Sequence, residues 1–341
     1  MILGIDTSCD DTSLALLDTN GKVLANVISS QTAAHAPHGG IVPELASRSH
    51  MDVLPRLYTE TLRQANISEA DLSGIAVTHT PGLIGCLLVG VCFAKALAYR
   101  LKIPLFAVNH LDGHLFSPFL THSPAFPFLG LVVSGGHTAF YQVKAFDDIC
   151  LVGQTVDDAA GEAFDKTAKQ LGLGYPGGAA IEKMAIGGNP QQLTFRTVRV
   201  KMGKQYLSFS GLKTAVAQAI LKQPPAVGDL PHWCASIQDA IIKQLADKMA
   251  WFLSEFSYKA FALSGGVAMN TALREHLGSV CLEQGIDFLA ADKKYCTDNA
   301  AMIAYAAFKR PNLADIFLLN PQATQKIQAR QLAKDMNCGE S

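Results

Sequence analysis

The sequence predicts an α/β fold made of two duplicated α/β domains, and three observations carry that expectation. Each half opens on a strand–polar turn–strand unit: residues 2–6 and 12–17 around Ser8-Cys9-Asp10-Asp11, then residues 128–134 and 137–143 around Gly135-Gly136. Each half continues with helical periodicity and further buried strands. Two buried strands also run directly into a Ser-Gly-Gly turn, at Ser134-Gly135-Gly136 and Ser264-Gly265-Gly266, which points to one supersecondary pattern used more than once.

The elements follow in order. After the first hairpin, Asn20-Gly21 starts a second one into residues 23–29. Apolar residues at helical spacing predict a helix over 46–64, and 74–78 reads as a strand. Pro81-Gly82-Leu83-Ile84-Gly85 turns into a long apolar helix ending near Arg100, followed by a strand over 104–108. In the second half, helices are expected over 158–171, 233–256 and 269–277, with a strand at 260–263. This places an N-terminal domain at 1–108 and a C-terminal domain at 109–297, the latter with an insertion near 187–208. A last helix, 298–310, is a candidate for completing the first domain, and 311–341 reads as a weakly patterned tail. Facing glycine turns in such a duplication predict a phosphate-binding cleft, because main-chain N–H groups there point at anions and no side chain blocks approach.

Bulk composition narrows the class. At 341 residues, 49% apolar and 17% charged, the chain has enough apolar surface for two cores and is not of the disordered type. Unbroken apolar runs stop well short of the roughly 20 residues that cross a bilayer, and the start of the chain reads as a strand rather than a signal peptide, so a cytoplasmic protein is expected. Eight scattered cysteines with no Cys-x-x-Cys pair suit a reducing compartment better than a zinc ribbon or disulfide framework. The formal charge of −1 means that any face for nucleic acid is local or shared with partners.

Five constellations carry chemistry. In Asn109-His110-Leu111-Asp112-Gly113-His114, two histidines at i and i+4 share one helix face, close enough for one metal ion. The alternative is that one imidazole caps a helix while the other is simply buried. Asp298 is a candidate third ligand, yet an aspartate before a helical run is also a favoured N-cap. The turns at 134–136 and 264–266 form the second and third; Gly266 would open a helix toward a phosphate, with Asn270 one turn in and able to reach a ribose. Asp158, Glu162 and Asp165 fall on one helical stripe, either facing a cleft or solvated, with Tyr175-Pro176-Gly177-Gly178 close behind. Last, Ser208-Phe209-Ser210-Gly211-Leu212-Lys213-Thr214 lacks the glycine spacing of a P-loop, while Arg196, Arg199, Lys201 and Lys204 form a basic run that either meets phosphate or is solvated surface.

Seven motifs in order complete the reading: Gly4-Ile5-Asp6-Thr7-Ser8-Cys9-Asp10-Asp11-Thr12, Gly40-Ile41-Val42-Pro43-Glu44-Leu45-Ala46-Ser47-Arg48, the histidine motif, Val133-Ser134-Gly135-Gly136-His137-Thr138, Asp158-Ala159-Ala160-Gly161-Glu162-Ala163-Phe164-Asp165-Lys166, Phe209-Ser210-Gly211-Leu212-Lys213-Thr214 and Cys296-Thr297-Asp298-Asn299. From residue 1 to about 310 the chain resembles the bacterial tRNA threonylcarbamoyladenosine transferases of the TsaD family, once described as glycoproteases. The resemblance implies the actin-like ATPase fold (ASKHA, ribonuclease H-like) with a nucleotide cleft. It implies transfer of threonylcarbamoyl from threonylcarbamoyl-AMP to the exocyclic amine of the adenosine 3′ of the anticodon, in tRNAs reading codons that begin with A. Carried over by motif, His110, His114 and Asp298 would hold one divalent metal, Fe2+ or Zn2+. Val132, Val133, Ser134, Gly135, Gly136, Asp165, Gly178 and Asn270 would contact the donor or an ATP, ADP or AMP in the cleft. Asp11 would sit where the family supports nucleotide turnover. Implied partners are tRNA, a paralogous dimerisation subunit (TsaB) and a P-loop ATPase subunit (TsaE), with the donor made by a separate synthase and no membrane involved.

Two positions depart from the family pattern, Asp11 and Asp112, each usually glutamate. Asp112, two residues on from His110, is expected to face away from the histidine pair. Against this reading stand a metalloprotease, which would want a glutamate directly after the first histidine where Leu111 stands, and a sugar or acetate kinase of the same fold, whose magnesium prefers oxygen ligands. A non-catalytic scaffold would leave the histidine pair unused.

Overall fold

The computed structural model describes residues 1–195 and 203–324. Its chain forms two compact units, residues 1–123 with 291–324, and residues 124–290. In the first, β1 (Ile2–Asp6), β2 (Asp11–Leu17) and β3 (Val23–Ser30) form an antiparallel meander. A short helix α1 (Thr32–His35) leads to α2 (Pro43–Ala65), then β4 (Gly74–Thr80), α3 (Ile84–Leu101), β5 (Leu105–Asn109) and the short α4 (His110–Phe116). The sheet order is β3-β2-β1-β4-β5, with β1, β4 and β5 parallel.

The second unit repeats that plan. The strands β6 (Phe128–Val133), β7 (Thr138–Ala145) and β8 (Asp148–Thr155) form the meander, followed by α5 (Ala160–Gln170) and α6 (Gly177–Met184). Next come β9 (Tyr206–Leu207), α7 (Ser210–Lys222), α8 (Leu230–Glu255), β10 (Ala260–Ser264), α9 (Thr271–Gln284) and β11 (Asp287–Ala290). The order β11-β10-β6-β7-β8-β9, read backwards from β8, reproduces the first sheet: a meander, then two parallel strands beside its first member. Only β9 is added, parallel to β8, so the end of the expected insertion at 187–208 belongs to the sheet.

The chain returns to the first unit for α10 (Ala300–Lys309). Leu3, Ile5, Leu14 and Leu16 point from the sheet into a core with Leu54, Tyr58, Val91, Ala94 and Leu97 of α2 and α3. On the opposite face α10 lies against β1, and glycine makes that approach possible: a Cβ on Gly4 would collide with the Ala300 carbonyl and lie 2.9 Å from Ala304 Cβ. Gly113 does the same between α4 and α10, where a Cβ would come within 2.8 Å of Ile303 Cδ1. This packing corrects the boundary expected at 108/109: residues 109–123 and 291–297 belong with the first unit, because α4 and the approach to α10 share that buried face. Part of the expected tail is also tied down, since Asn312 and Ala314 exchange main-chain hydrogen bonds with Ala107 and Leu105 of β5.

One helix among the described residues, α3, is long and apolar enough to cross a membrane, which the count of unbroken apolar residues did not register because Lys95 and Arg100 interrupt it. Its inner face, from Cys86 and Leu87 to Leu97 and Ala98, is buried in the first unit's core.

Candidate metal centre and anion-binding turns

Strand β5 ends on Asn109, and its side chain starts the next helix: Oδ1 accepts the Leu111 N–H at 2.8 Å. The cap is therefore asparagine, and both imidazoles of α4 are left free of that role. The same division recurs at the head of α10. Asn299 caps α10, its Oδ1 accepting the Met302 N–H at 3.0 Å, while the Ala300 N–H donates to Ser13 Oγ at 2.8 Å. Asp298, which could have been that cap, instead turns toward α4.

The result is a cluster in the first unit. His114 Nε2 lies 3.1 Å from Asp298 Oδ1, and His110 Nε2 lies 3.4 Å from the same oxygen. The two rings meet edge to face, 4.6 Å between centroids. Among the described residues this is the group of His, Cys, Asp and Glu whose ligand atoms, all within 4.8 Å of one another, could hold an ion. Both imidazoles are buried, and the Asp298 side chain keeps 24% exposure, enough to leave one open side.

Electrostatics agree with a cation site. Burial opposes charge on His110, but the carboxylates of Asp298 and Asp6 outweigh it and push its pKa up to about 10. Burial keeps His114 below its ordinary value, despite a hydrogen bond to Asp298. Burial works against ionised Asp298 too, yet the two histidines hold its carboxyl well below the usual range. A proton on His110 thus stands where a divalent ion would stand. Two buried imidazole nitrogens and one carboxylate oxygen, close together, are a donor set that fits such an ion.

Asp6 is the residue the sequence reading did not select, though it stood inside a quoted motif. It ends the buried strand β1 fully enclosed, with Oδ2 3.5 Å from His110 Nδ1. A charged side chain closing an otherwise apolar strand was the available signal. Asp11 begins β2 opposite Ser30 and lies outside the three-residue cluster; burial, with Asp10, Asp298 and Asp6 nearby, raises its carboxyl to about 6. Asp112 turns away from the histidines and pairs with Arg310 at 3.2 Å.

The second unit carries the turns. Because β6 and β10 are parallel neighbours, with Ser264 opposite Val132, the two Ser-Gly-Gly turns leave the same edge of one sheet. Ligands in open α/β sheets lie beyond the carboxyl ends of strands, which is where these turns are. The Ser134 N–H donates to the His137 carbonyl at 2.8 Å, and Ser134 Oγ accepts the His137 N–H at 3.1 Å, closing the hairpin. An added Cβ on Gly135, Gly136 or Gly266 would meet no atom, whereas Gly265, at φ +95°, lies against the Val133 carbonyl. Val132 and Val133 are fully buried in β6, so they support the turn and offer no side chain to a ligand.

Three of the selected residues make local structural contacts. Gly266 does open a helical turn, a single 3-10 turn over Gly266–Met269, and Asn270 at its end is also the N-cap of α9, its Oδ1 accepting from Leu273 N–H at 2.9 Å and its Nδ2 donating to Gln238 at 2.8 Å. Asp165 accepts the Gly177 N–H at 2.7 Å and so anchors the start of α6, next to Gly178; burial still raises its carboxyl. Asp158 precedes α5 rather than sharing its stripe, and Lys166 bridges it to Glu162 at 2.7 and 2.8 Å. Asp157, also unselected, gathers the Ser210 hydroxyl and the Phe209 and Ser210 N–H groups at the head of α7. In the basic run, Lys204 lies within the described residues; Arg196, Arg199 and Lys201 lie outside them.

Comparison with known proteins adds the following. The family model described as tRNA N6-adenosine threonylcarbamoyltransferase (TsaD) matches residues 22–305. A protein of that name from Brucella anthropi is 46% identical over 91% of this chain and 89% of its own length. Another from Trichlorobacter lovleyi is 45% identical over 90% of each chain. Among solved structures, full-length HypF aligns with a TM-score of 0.61 at 13% identity, over 95% of this chain and 47% of its own. Component A of the Acidaminococcus fermentans (R)-2-hydroxyglutaryl-CoA dehydratase aligns at 0.53 and 14%, over 91% and 98%. At such identities these two bear on fold alone, that of the actin-like ATPases.

Proposed function

Because the chain belongs to the tRNA N6-adenosine threonylcarbamoyltransferase family, we propose that it moves a threonylcarbamoyl group from threonylcarbamoyl-AMP to the exocyclic amine of the adenosine 3′ of the anticodon. The amine nitrogen forms a bond to the carbamoyl carbon and gives up a proton; the bond from that carbon to the phosphate oxygen breaks, and AMP leaves with the electron pair. An adenosine in a single-stranded loop can present this amine without opening a helix.

The observation that carries the reading is the convergence of His110 and His114 with Asp298, 184 residues beyond His114 in sequence. These residues would hold one divalent ion, Fe2+ or Zn2+, for which nitrogen and carboxylate ligands are equally suitable. When bound, such an ion supplies Lewis acidity toward an acyl donor. The protein's own part is to fix the ligand geometry through the Asn109 and Asn299 caps and to limit water by burial. Ser134, Gly135, Gly136 and Gly178 are the proposed main-chain contacts to the donor's nucleotide, with Asp165 and Asn270 holding the turns that carry them. Asp11, whose carboxyl burial and neighbouring carboxylates raise, is the candidate for nucleotide turnover.

With a net charge of −1, tRNA binding is proposed to be shared with a paralogous dimerisation subunit and a P-loop ATPase subunit, in the cytoplasm. The test is reconstitution: the purified chain with donor synthase, those partners and tRNA, assayed for threonylcarbamoyladenosine, alongside the metal content of the protein. Metal-free protein as active as loaded protein would refute the metal role; absence of modified adenosine would refute the transfer.

A further inference from the structure

From the surroundings of His110 we infer that Asp6 is a positioning residue: its buried carboxylate orients the His110 ring so that Nε2, and not Nδ1, is presented to the ion. This rests on the metal reading above and adds what selects the donor nitrogen.

Asp6 stands at the carboxyl end of β1, the middle strand of its sheet, with β2 and β4 on either side. One oxygen, Oδ1, accepts the Ser8 N–H at 3.2 Å. The other, Oδ2, faces His110 Nδ1 at 3.5 Å, and both atoms are buried and make no hydrogen bond among the described residues, so each is the nearest group the other has to satisfy. On the far side of the ring Nε2 faces Asp298. His110 therefore lies between two carboxylates, whereas the Nδ1 of His114 is buried without a partner among the described residues. A neutral imidazole has one N–H to give. Once a cation takes the Nε2 lone pair, the remaining proton belongs on Nδ1, where the Asp6 carboxylate accepts it. Any other tautomer leaves a buried carboxylate against a ring lone pair, which is a costly arrangement. A carboxylate behind a ligating histidine also raises the basicity of the ligating nitrogen and fixes the ring plane. Being strand-borne and enclosed, Asp6 can do this without rearranging.

The test uses the full chain and zinc ion alone. Zinc affinity, measured by competition with a chromophoric chelator, is expected to fall about 10–100-fold in Asp6→Ala, with Asp6→Asn between it and the parent because the amide still offers an acceptor. Ring-nitrogen NMR of the zinc-loaded parent is expected to show His110 metal-bound at Nε2 with a slowly exchanging Nδ1 proton, and faster exchange in Asp6→Asn. A purely structural role for Asp6 would lower the melting temperature and leave the His110 nitrogen signals where they were. Parent-like zinc affinity in both variants, or coordination of His110 through Nδ1, would overturn the inference while the metal reading stood. Failure of the parent itself to take up zinc or Fe2+ would remove both. Should neither variant fold, the spectrum of the zinc-loaded parent decides the question alone.

Discussion

Gly4→Ala tests how tightly the fold sets the metal geometry from a distance. The substitution adds one methyl group on β1, pointing at α10, in a place where no side chain touches the proposed ion. That methyl would collide with the Ala300 carbonyl and lie 2.9 Å from Ala304 Cβ, where ordinary contact begins at 3.4 Å. Helix α10 must therefore retreat by at least about 0.5 Å, since neither neighbour is the end of a flexible side chain. Overpacking of this kind costs about 1–3 kcal/mol. Asp298 precedes the Asn299 cap by one residue, so it moves with the helix while His110 and His114 stay with α4. Ligand distances in a zinc site tolerate only about 0.2 Å. The expected result is a metal-free protein that still folds, with a melting temperature lower by several degrees, and zinc affinity reduced at least tenfold. Chelator competition and thermal unfolding with and without zinc would measure both. A variant that loses stability yet binds zinc like the parent would refute the reasoning, because the helix would have moved without carrying the ligand.

Four further outcomes are expected. His110→Ala should abolish metal uptake and tRNA modification together in the reconstituted assay; full activity would contradict the proposed centre. The pH dependence follows from His110, whose folded pKa of about 10 lies above the unfolded value of 6.5. Its contribution to metal-free stability is complete below pH 6.5 and lost as pH rises toward 10, so the metal-free melting temperature should fall across that window. Zinc binding at pH 8 should correspondingly release about one proton, read by calorimetry in two buffers of different ionisation enthalpy. Asn270→Ala should cost about 1 kcal/mol through the lost cap of α9, and Asn270→Asp should keep that stability, with zinc content unchanged in both. Equal melting curves for all three proteins would show that the cap contributes nothing.

Strand alternation and helical spacing revealed the duplicated meanders, because burial on one face imposes those periods directly. Element edges were less legible where burial stops. Helix α2 begins at Pro43 rather than 46, since Pro43, Glu44 and Leu45 of its first turn are exposed and the buried face that sets the period starts at Ala46. The histidine pair was visible as chemistry, but Asp298 was ambiguous until asparagines proved to cap both helices. Spacing alone cannot say which of two adjacent polar residues, Asp298 or Asn299, turns back on the helix. Asp165 and Asn270 were found as functional candidates, yet their hydrogen bonds to Gly177 and Leu273 were not, because those partners depend on turn geometry. Asp6 escaped because its neighbour His110 is distant in sequence and adjacent only once β1 and β5 share a sheet.

The late arrival of α10 has a consequence for biosynthesis. His114 and its acidic counterpart are 184 residues apart, and the whole second sheet is translated between them. At about 5–20 residues per second a ribosome needs on the order of 10–40 seconds to cover that stretch. Throughout it, the nascent first half has an uncovered sheet face and an unfinished ligand set. Until residue 298 is made, the proposed site offers its two imidazoles, backed by Asp6, without the carboxylate that completes the ligand set.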